Sequence, residues 1–362
     1  MQVVRFISAD PTEKQFAAAV RKNVGDYFRE KGISTKGNGW MYVKAAVLLG
    51  TYIAPFVVLL TVPVGWPLAL LLVFLMGIGE AGVGMSVMHD AVHGSFSAKK
   101  SVNELFSWSM FLLGSNIFNW KVQHNILHHT FTNIYGYDED IETKAVIRLC
   151  DHAPRKKFHR FQLIYAFFFY GLMTLSKLTT DFSQLIAYNR RGITREQKRN
   201  PSAEMLKLIA GKLAYLFIIL GFPLLFTSFT WWQILTGFAI LHITAGMIMS
   251  TIFQMAHVVE GTEQPVPDEK GVIAHDWVVH EMRTTSDFAP KNHFLNWYAG
   301  GLNFQIEHHL FPNTCHIHYR KIAPIVEQTA QEFGIAYNRK PTFGAALVSH
   351  LKRLKELGKQ PS

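Results

Sequence analysis

Two apolar blocks restrict what this chain can fold into. The first starts near Ala45 and closes with APFVVLLTVPVGWPLALLLVFLMGIGEAGVGMSVM, Ala54 to Met88. The second, LAYLFIILGFPLLFTSFTWWQILTGFAILHITAGMIMSTIFQMA, runs from Leu213 to Ala256. Each is about twice the roughly 20 residues that one membrane-spanning helix needs. Each breaks midway at a turn-like piece, VPVGWP (Val62 to Pro67) and SFTWW (Ser228 to Trp232). Pro and Gly mark a turn in the first, and the tryptophans in both suit a membrane interface. The blocks predict two helical hairpins, with spans near 45–63, 67–88, 213–229 and 232–256.

Charge sets the orientation. Neither hairpin tip holds a Lys or Arg. The N-terminal segment carries Arg5, Lys14, Arg21, Lys22, Arg29, Lys31 and Lys36, and the segment between the hairpins is basic throughout, Lys144 included. The positive-inside rule puts both termini and the middle segment in the cytoplasm. The net charge of +10, from 36 basic and 26 acidic residues, is therefore mainly a topology signal. It also suits anionic lipid headgroups or an acidic partner protein. No basic stretch is interleaved with stacking aromatics in a recognisable module, so nucleic acid is not an expected partner. The start, MQVVRFISADPTEKQF, lacks the charged tip and apolar run of a signal peptide. Cys150 and Cys315, the two cysteines, are both expected on the cytoplasmic side, where no disulfide is anticipated.

The 17 histidines cluster. HDAVH gives His89 and His93 after the second span. QHNILHH gives His124, His128 and His129. QIEHH gives Gln305, His308 and His309, and His257 sits just past the fourth span. Imidazoles four apart share a helix face, so His89 pairs with His93 and His124 with His128. Three clusters at cytoplasmic helix ends can surround two metal ions. They meet only if the chain crosses the membrane an even number of times between His129 and His257. FQLIYAFFFYGLMTLSKL (Phe161 to Leu178) is therefore expected to lie on the membrane or beneath it, although it is long enough to span. LFSWSMFLLGSNIF (Leu105 to Phe118) is too short to span and reads as interfacial or re-entrant.

HDAVH, QHNILHH and QIEHH, in that order and between those hairpins, resemble the three histidine boxes of the membrane fatty acid desaturases. The likeness runs from about Tyr42 to about Tyr319. HHTFTN and GGLNFQIEHHLFP are similar to the front-end, acyl-CoA Δ6-type branch (linoleoyl-CoA desaturase-like), where Gln replaces the first histidine of the third box, as Gln305 does. The resemblance implies an all-α integral membrane protein of four transmembrane helices in two hairpins, with a cytoplasmic helical cap holding a di-iron site. It implies two non-haem iron ions, dioxygen as oxidant, and a cis double bond placed in a long acyl chain carried on coenzyme A or in a lipid. By position the implied metal ligands are His89, His93, His124, His128, His129, His257, His308 and His309, with Gln305 as a ligand or a neighbour of one. Many eukaryotic front-end members carry a fused cytochrome b5-type domain with an HPGG motif. No HPGG occurs here and about forty residues precede the first span, so electrons are expected from a separate ferredoxin or cytochrome b5, in a bacterial inner membrane.

Several acids remain to be placed. Asp90 and Glu307 adjoin the implied ligands, where a carboxylate can accept the outer N–H of an imidazole. Asp138, Glu139 and Asp140 read as a surface loop. Glu80 lies inside the second span, where an acid is costly and often functional, and a lysine partner or the substrate path are its two expected places. His242, about 22 Å along its helix from His257 at 1.5 Å per residue, reads as an interhelical hydrogen bonder. Gly77, Gly79, Gly82 and Gly84 let helices approach closely or let an acyl chain pass. Residues 1–41 are read as a cytoplasmic N-terminal segment, 42–340 as the desaturase domain and 341–362 as a C-terminal tail, whose end KRLKELGKQPS is expected to be polar and solvated. Two other functions compete with desaturation. A related histidine-box hydroxylase would share the oxidant. A metal transporter would hold its ligands near mid-bilayer, where only His242 lies.

Overall fold

The computed structural model describes residues 4–142 and 146–360. Lys144 and the outermost residues of both expected terminal segments lie outside them. The architecture is all-α. Strand structure among the described residues is two short parallel pairings, β1 (Arg5–Phe6) with β2 (Val272–Ile273) and β3 (Asp287–Phe288) with β4 (Arg339–Lys340).

Helix α1 (Pro11–Lys31) starts at Asp10, whose carboxylate accepts from the Thr12 N–H, and ends at Gly32 in the left-handed region (φ +60°). The first is an ordinary N-cap and the second an ordinary C-cap. Two long helices follow, α2 (Gly39–Thr61) and α3 (Trp66–Val92), then the shorter α4 (Lys100–Ser107). The second histidine cluster lies on α5 (Lys121–His128), a π-helix. Next come α6 (Gln162–Gly171), α7 (Met173–Arg190) and a second long pair, α8 (Pro201–Phe226) and α9 (Trp231–His257). The chain finishes with α10 (Trp277–Thr284), α11 (Gln305–Leu310), α12 (Tyr319–Glu332) and α13 (Phe343–Lys359).

Among the described residues, α2, α3, α8 and α9 are each long and apolar enough to cross a membrane. The turns within the two pairs meet at one end of the bundle, where Trp66 packs on Phe229 and Trp232 at ring distances of 6.0 and 5.9 Å. The histidines gather at the other end. Gly77 and Gly79 let α3 wedge between its neighbours: a Cβ on Gly77 would fall 2.8 Å from the Leu241 carbonyl on α9, and one on Gly79 would fall 2.7 Å from the Tyr52 nitrogen on α2. Helix α8 begins a dozen residues before the apolar block does. Asn200 caps it, Pro201 occupies its first turn, and its buried Lys212 pairs with Asp181 at 2.6 Å. Hydropathy alone misses a first half that carries such charges.

Helices α6 and α7 are bent by 77° at Leu172. The apex of this V presses on α9. A Cβ on Gly246 would lie 2.5 Å from the Gly171 carbonyl oxygen, and the Thr174 hydroxyl donates to the His242 carbonyl at 2.9 Å. His242 is about 22 Å down the helix from His257. Both outer ends return to the histidine end of the bundle. Gln162 at the start of α6 bonds the Arg148 and Leu354 carbonyls, and Tyr188 near the end of α7 donates to Glu139 at 2.6 Å. The segment expected to lie flat instead dips between the long helices and comes back. Both arms of the V therefore start and finish at the histidine end of the bundle.

Beyond α9 the chain folds over the histidine end. Phe16, Val20, Val24 and Phe28 of α1 are buried with Val279 and Met282 of α10 and Ile322 and Val326 of α12. The terminal segments are therefore part of the body. The expected C-terminal tail contains α13 instead, and the end expected to be solvated forms its second half; the helix buries Ala346, His350, Leu354 and Leu357 at helical spacing. His350 Nδ1 donates to the Val258 carbonyl at 2.7 Å, and Nε2 accepts from the Tyr170 hydroxyl at 2.9 Å, tying α13 to α6.

The V makes a stability prediction. Gly246→Val drives a side chain into the Gly171 backbone, which cannot yield, and should cost about 1–3 kcal/mol. Thermal unfolding of the detergent-solubilised protein should show a lower midpoint than wild type. Gly50→Val, at a position with nothing within 4 Å of the added Cβ, should leave the midpoint in place.

Candidate metal centre

Local helix geometry aims the histidines. In α5 the N–H groups bond five residues back, and this wider turn sets residues four and five apart side by side. His124, His128 and His129 thus face inward together. Residues Val83–Met88 of α3 are also π-helical, directly before His89 and His93. Such π segments occur mostly at functional sites. The third cluster is positioned by a close approach. Gly300 and Gly301 both have positive φ (+62° and +70°), and a Cβ on Gly300 would lie 2.3 Å from the Met85 carbonyl. This pair lets the loop before α11 rest against α3. Asp287 then accepts from the Ile306 N–H at 3.0 Å and fixes the start of α11.

The three boxes and His257 come together as interlocking groups. Ring nitrogens of His89, His93, His124 and His308 lie within 4.8 Å of one another, as do those of His128, His257 and His309. A third set, His129, His308 and His309, joins the two. The Nε2 atoms of His89 and His124 are 3.1 Å apart. The Gln305 side-chain amide lies 2.8 Å from His257 Nε2 and 3.3 Å from His309 Nε2. All eight histidines and Gln305 are buried. Rings wall the cluster: Trp120 lies 4.4 Å from His124 and Phe253 lies 4.8 Å from His257.

The unpartnered atoms show what the cluster fits. His93 Nε2, His128 Nε2, both nitrogens of His129 and His308 Nε2 are buried without a hydrogen-bond partner. Burial, with neighbouring imidazoles adding to it, holds His93, His124, His129, His308 and His309 below the ordinary imidazole range. These rings are neutral, which is the state a metal ligand requires. Several neutral imidazoles with inward lone pairs suit a transition metal such as iron.

Outer nitrogens are held by groups that motif reading missed. Asp138 faces His128 Nδ1 at 3.0 Å and is itself fixed by the backbone N–H groups of Asn133 and Asp140. Asp140 lies 3.5 Å from His128 Nδ1 and 3.7 Å from His124 Nδ1. Burial alone would push His128 down, but Asp138 and Asp140 outweigh it and raise the ring's pKa to about 9; a metal at Nε2 would take the place of the ring's second proton and leave the Nδ1–H toward Asp138. The expected surface loop is thus a wall of the site, with Asp138 fully buried and Glu139 and Asp140 half-buried. Its signal was the turn-forming Asn133 and Gly136, which bring Asp138 back to a histidine ten residues earlier. Glu281 on α10 faces His309 Nδ1 at 2.7 Å, and the Tyr319 hydroxyl lies 3.2 Å from His308 Nδ1. An acid between buried apolar neighbours on α10 was the only cue to Glu281.

The two acids singled out beside the boxes serve other partners. Asp90 sits 2.7 Å from His316 Nδ1 and accepts from the Cys315 thiol at 3.0 Å, whereas His89 Nδ1 is 4.0 Å away. Glu307 accepts from the Tyr337 hydroxyl at 2.9 Å beside Asp287, and burial pushes its carboxyl up. Glu80 faces His242 at 3.8 Å rather than a lysine. His242 is the interhelical bonder expected, with the Tyr215 and Thr174 hydroxyls at 2.9 and 3.0 Å.

A cavity of about 220 Å³ opens beside His89 and His124. Its buried floor is apolar and includes Met85, Met88, Met110 and Leu113, and its more exposed side is polar, with Gln123, Glu139 and Lys177. Of the four glycines on α3, Gly84 lines this cavity, and Gly77, Gly79 and Gly82 serve helix packing.

The comparisons agree with this geometry. The fatty acid desaturase family model matches residues 63–341. The chain is 34% identical over 352 residues to the sn-1 linoleoyl-lipid 6-desaturase of Synechocystis sp., covering 96% of this chain and 97% of that protein. It is 32% identical to the sn-1 linoleoyl-lipid 6-desaturase of Arthrospira platensis, over 96% and 93% of the two chains. It is 34% identical to the acyl-lipid (8-3)-desaturase of Physcomitrium patens, over 97% of this chain and 73% of that one. The chain belongs to the fatty acid desaturase family.

Proposed function

We propose that this protein is a di-iron, dioxygen-dependent front-end desaturase that inserts a cis double bond between an existing one and the carboxyl end of a long acyl chain. The interlocking histidine groups, with inward ring nitrogens left unpartnered beside an apolar cavity, carry this reading. His89, His93, His124 and His308 would hold one iron ion, and His128, His257 and His309 the other, with His129 between them. Gln305 borders the second group as a hydrogen-bonding neighbour. Bound there, the metals supply dioxygen activation, and the reaction removes one hydrogen from each of two adjacent methylenes while dioxygen leaves as water with an external electron pair and two protons.

The chain's own residues do the rest. Asp138 and Glu281 fix the outer N–H of His128 and His309, so that the inner nitrogens keep one direction. Trp120 and Phe253 shield the cluster from water. The cavity floor takes the hydrocarbon and positions one pair of methylenes, which is the protein's share of such chemistry. The relatives' names favour a lipid ester as substrate. Residues 42–340 form the catalytic unit, and the histidine end faces the cytoplasm of a bacterial inner membrane together with both termini. Electrons come from a carrier outside these residues, a ferredoxin or cytochrome b5 in class.

Expression in a host that supplies reducing equivalents, with defined fatty acids fed, tests the reaction. Mass spectrometry should locate a new cis bond on the carboxyl side of an existing one. A hydroxylated product alone would replace this reading with the hydroxylase. His128→Ala should abolish the product with the membrane level of the protein unchanged, and turnover at wild-type rate would remove His128 from the ligand set. Asp138→Asn should lower metal affinity by about 10–100-fold, read as iron retained per protein along a chelator series.

A further inference from the structure

The polar side of the cavity carries an ammonium that makes no ion pair among the described residues. Lys177 stands on α7, close to the apex of the V. Its Nζ lies 2.6 Å from Gln123 Oε1 and 3.3 Å from Gln184 Oε1. The carboxylates around it are engaged elsewhere. Asp181 pairs with Lys212. Glu139 accepts from Tyr188 and Gln184 and faces Arg191 at 3.5 Å. Asp140 accepts from Gln123 and faces the histidines. Among the described residues no carboxylate forms an ion pair with Lys177. An ammonium has three donors, and the two amide oxygens account for two of them. A charge at the edge of an apolar recess is costly without an oxygen to receive it.

The cavity floor opposite is hydrocarbon-like and offers nothing to a polar head. An acyl chain with its carbonyl at Lys177 and its methylenes along the floor satisfies both surfaces. The route from Lys177 to the metal cluster is short. It runs through Gln123, which immediately precedes His124, and through Asp140, 3.7 Å from His124 Nδ1. Lys177, Gln123, His89 and His124 line this one cavity, so a chain anchored by its carbonyl at Lys177 runs past the histidines within it. Front-end chemistry needs this arrangement, because it counts from the carboxyl end.

We propose that Lys177 binds the carbonyl oxygen of the ester or thioester that carries the acyl chain, and that its distance from the histidine cluster sets the position of the new double bond. This assignment rests on the desaturase reading above.

Membranes containing the full chain, supplied with electrons, provide the test. Linoleate is presented as a lipid ester, as the coenzyme A thioester, and as an ether analogue in which CH2 replaces the carbonyl. The wild-type protein should desaturate the ester or the thioester at one position, and which of them is used identifies the carrier. On the ether its KM should rise by about tenfold or more, as expected for losing a hydrogen bond to a charged group, and the new bond should spread over neighbouring positions. K177M should treat the carbonyl substrate as wild type treats the ether, with no further loss on the ether itself. K177R should restore a single position. Iron content and membrane level of each variant separate binding from folding. Ether turnover equal to ester turnover at one position would overturn the proposal, as would K177M with wild-type KM and a single product. If K177M does not accumulate, the wild-type comparison of ester with ether decides alone. Absence of any double bond from the iron-loaded wild type would overturn the desaturase reading and this assignment with it.

Discussion

Eight buried imidazoles at the ends of helices are the condition that the rest of the molecule has to meet. Each ring has two nitrogens. In His128, His308 and His309 the outer one meets a carboxylate or a hydroxyl. Seven ring nitrogens in the cluster have no hydrogen-bond partner at all. At about 1–3 kcal/mol each, their cost rivals the entire net stability of about 5–15 kcal/mol typical of a folded domain. A ligand that uses those lone pairs would return that energy, so a metal bound by this cluster would be linked to folding.

The bundle accepts polar residues where they fasten one element to another. Thr174, His242 and Tyr215 join the V to α9 and α8. Lys212 spans from α8 to Asp181 on α7 and to the Gly114 and Lys177 carbonyls. Inside an apolar bundle such groups are expensive unless matched, and matching them fixes the depth of the V. That depth in turn decides where the cavity wall stands relative to His124. The V, the cavity and the histidines are therefore one mechanical unit, although they come from four separate stretches of chain.

Much of this was legible in the sequence, and the exceptions share a cause. The long apolar helices and the three boxes announce themselves, because lipid thickness and imidazole spacing leave local marks. His242 was placed correctly by helix rise alone. The partners of the boxes left no such mark. Asp138 and Glu281 act through contacts made by folding, and an acid in YDED or in WVVHEMRT has the same letter whether solvated or buried. Asp90 and Glu307 adjoin histidines in sequence but turn to His316 and Tyr337, since adjacent side chains on a helix point apart. The V escaped because charge and parity constrain where a segment begins and ends, not how deep it dips between. The last helix looked like a tail because its charged face outnumbers a narrow buried stripe.

The connection between the two main histidine groups runs through His308 and His309, on a short helix near the end of the chain. A chain stopped before Gln305 would hold both long helical pairs, the V, five imidazoles from the first two boxes, and His257. Neither principal histidine group would be closed. A metal held by both groups would therefore be completed only once Gln305–His309 is in place, after all four long helices have been made. A truncated product would keep its hydrophobic bulk while exposing unliganded imidazoles, which gives cellular quality control a chemical difference to recognise between finished and unfinished copies.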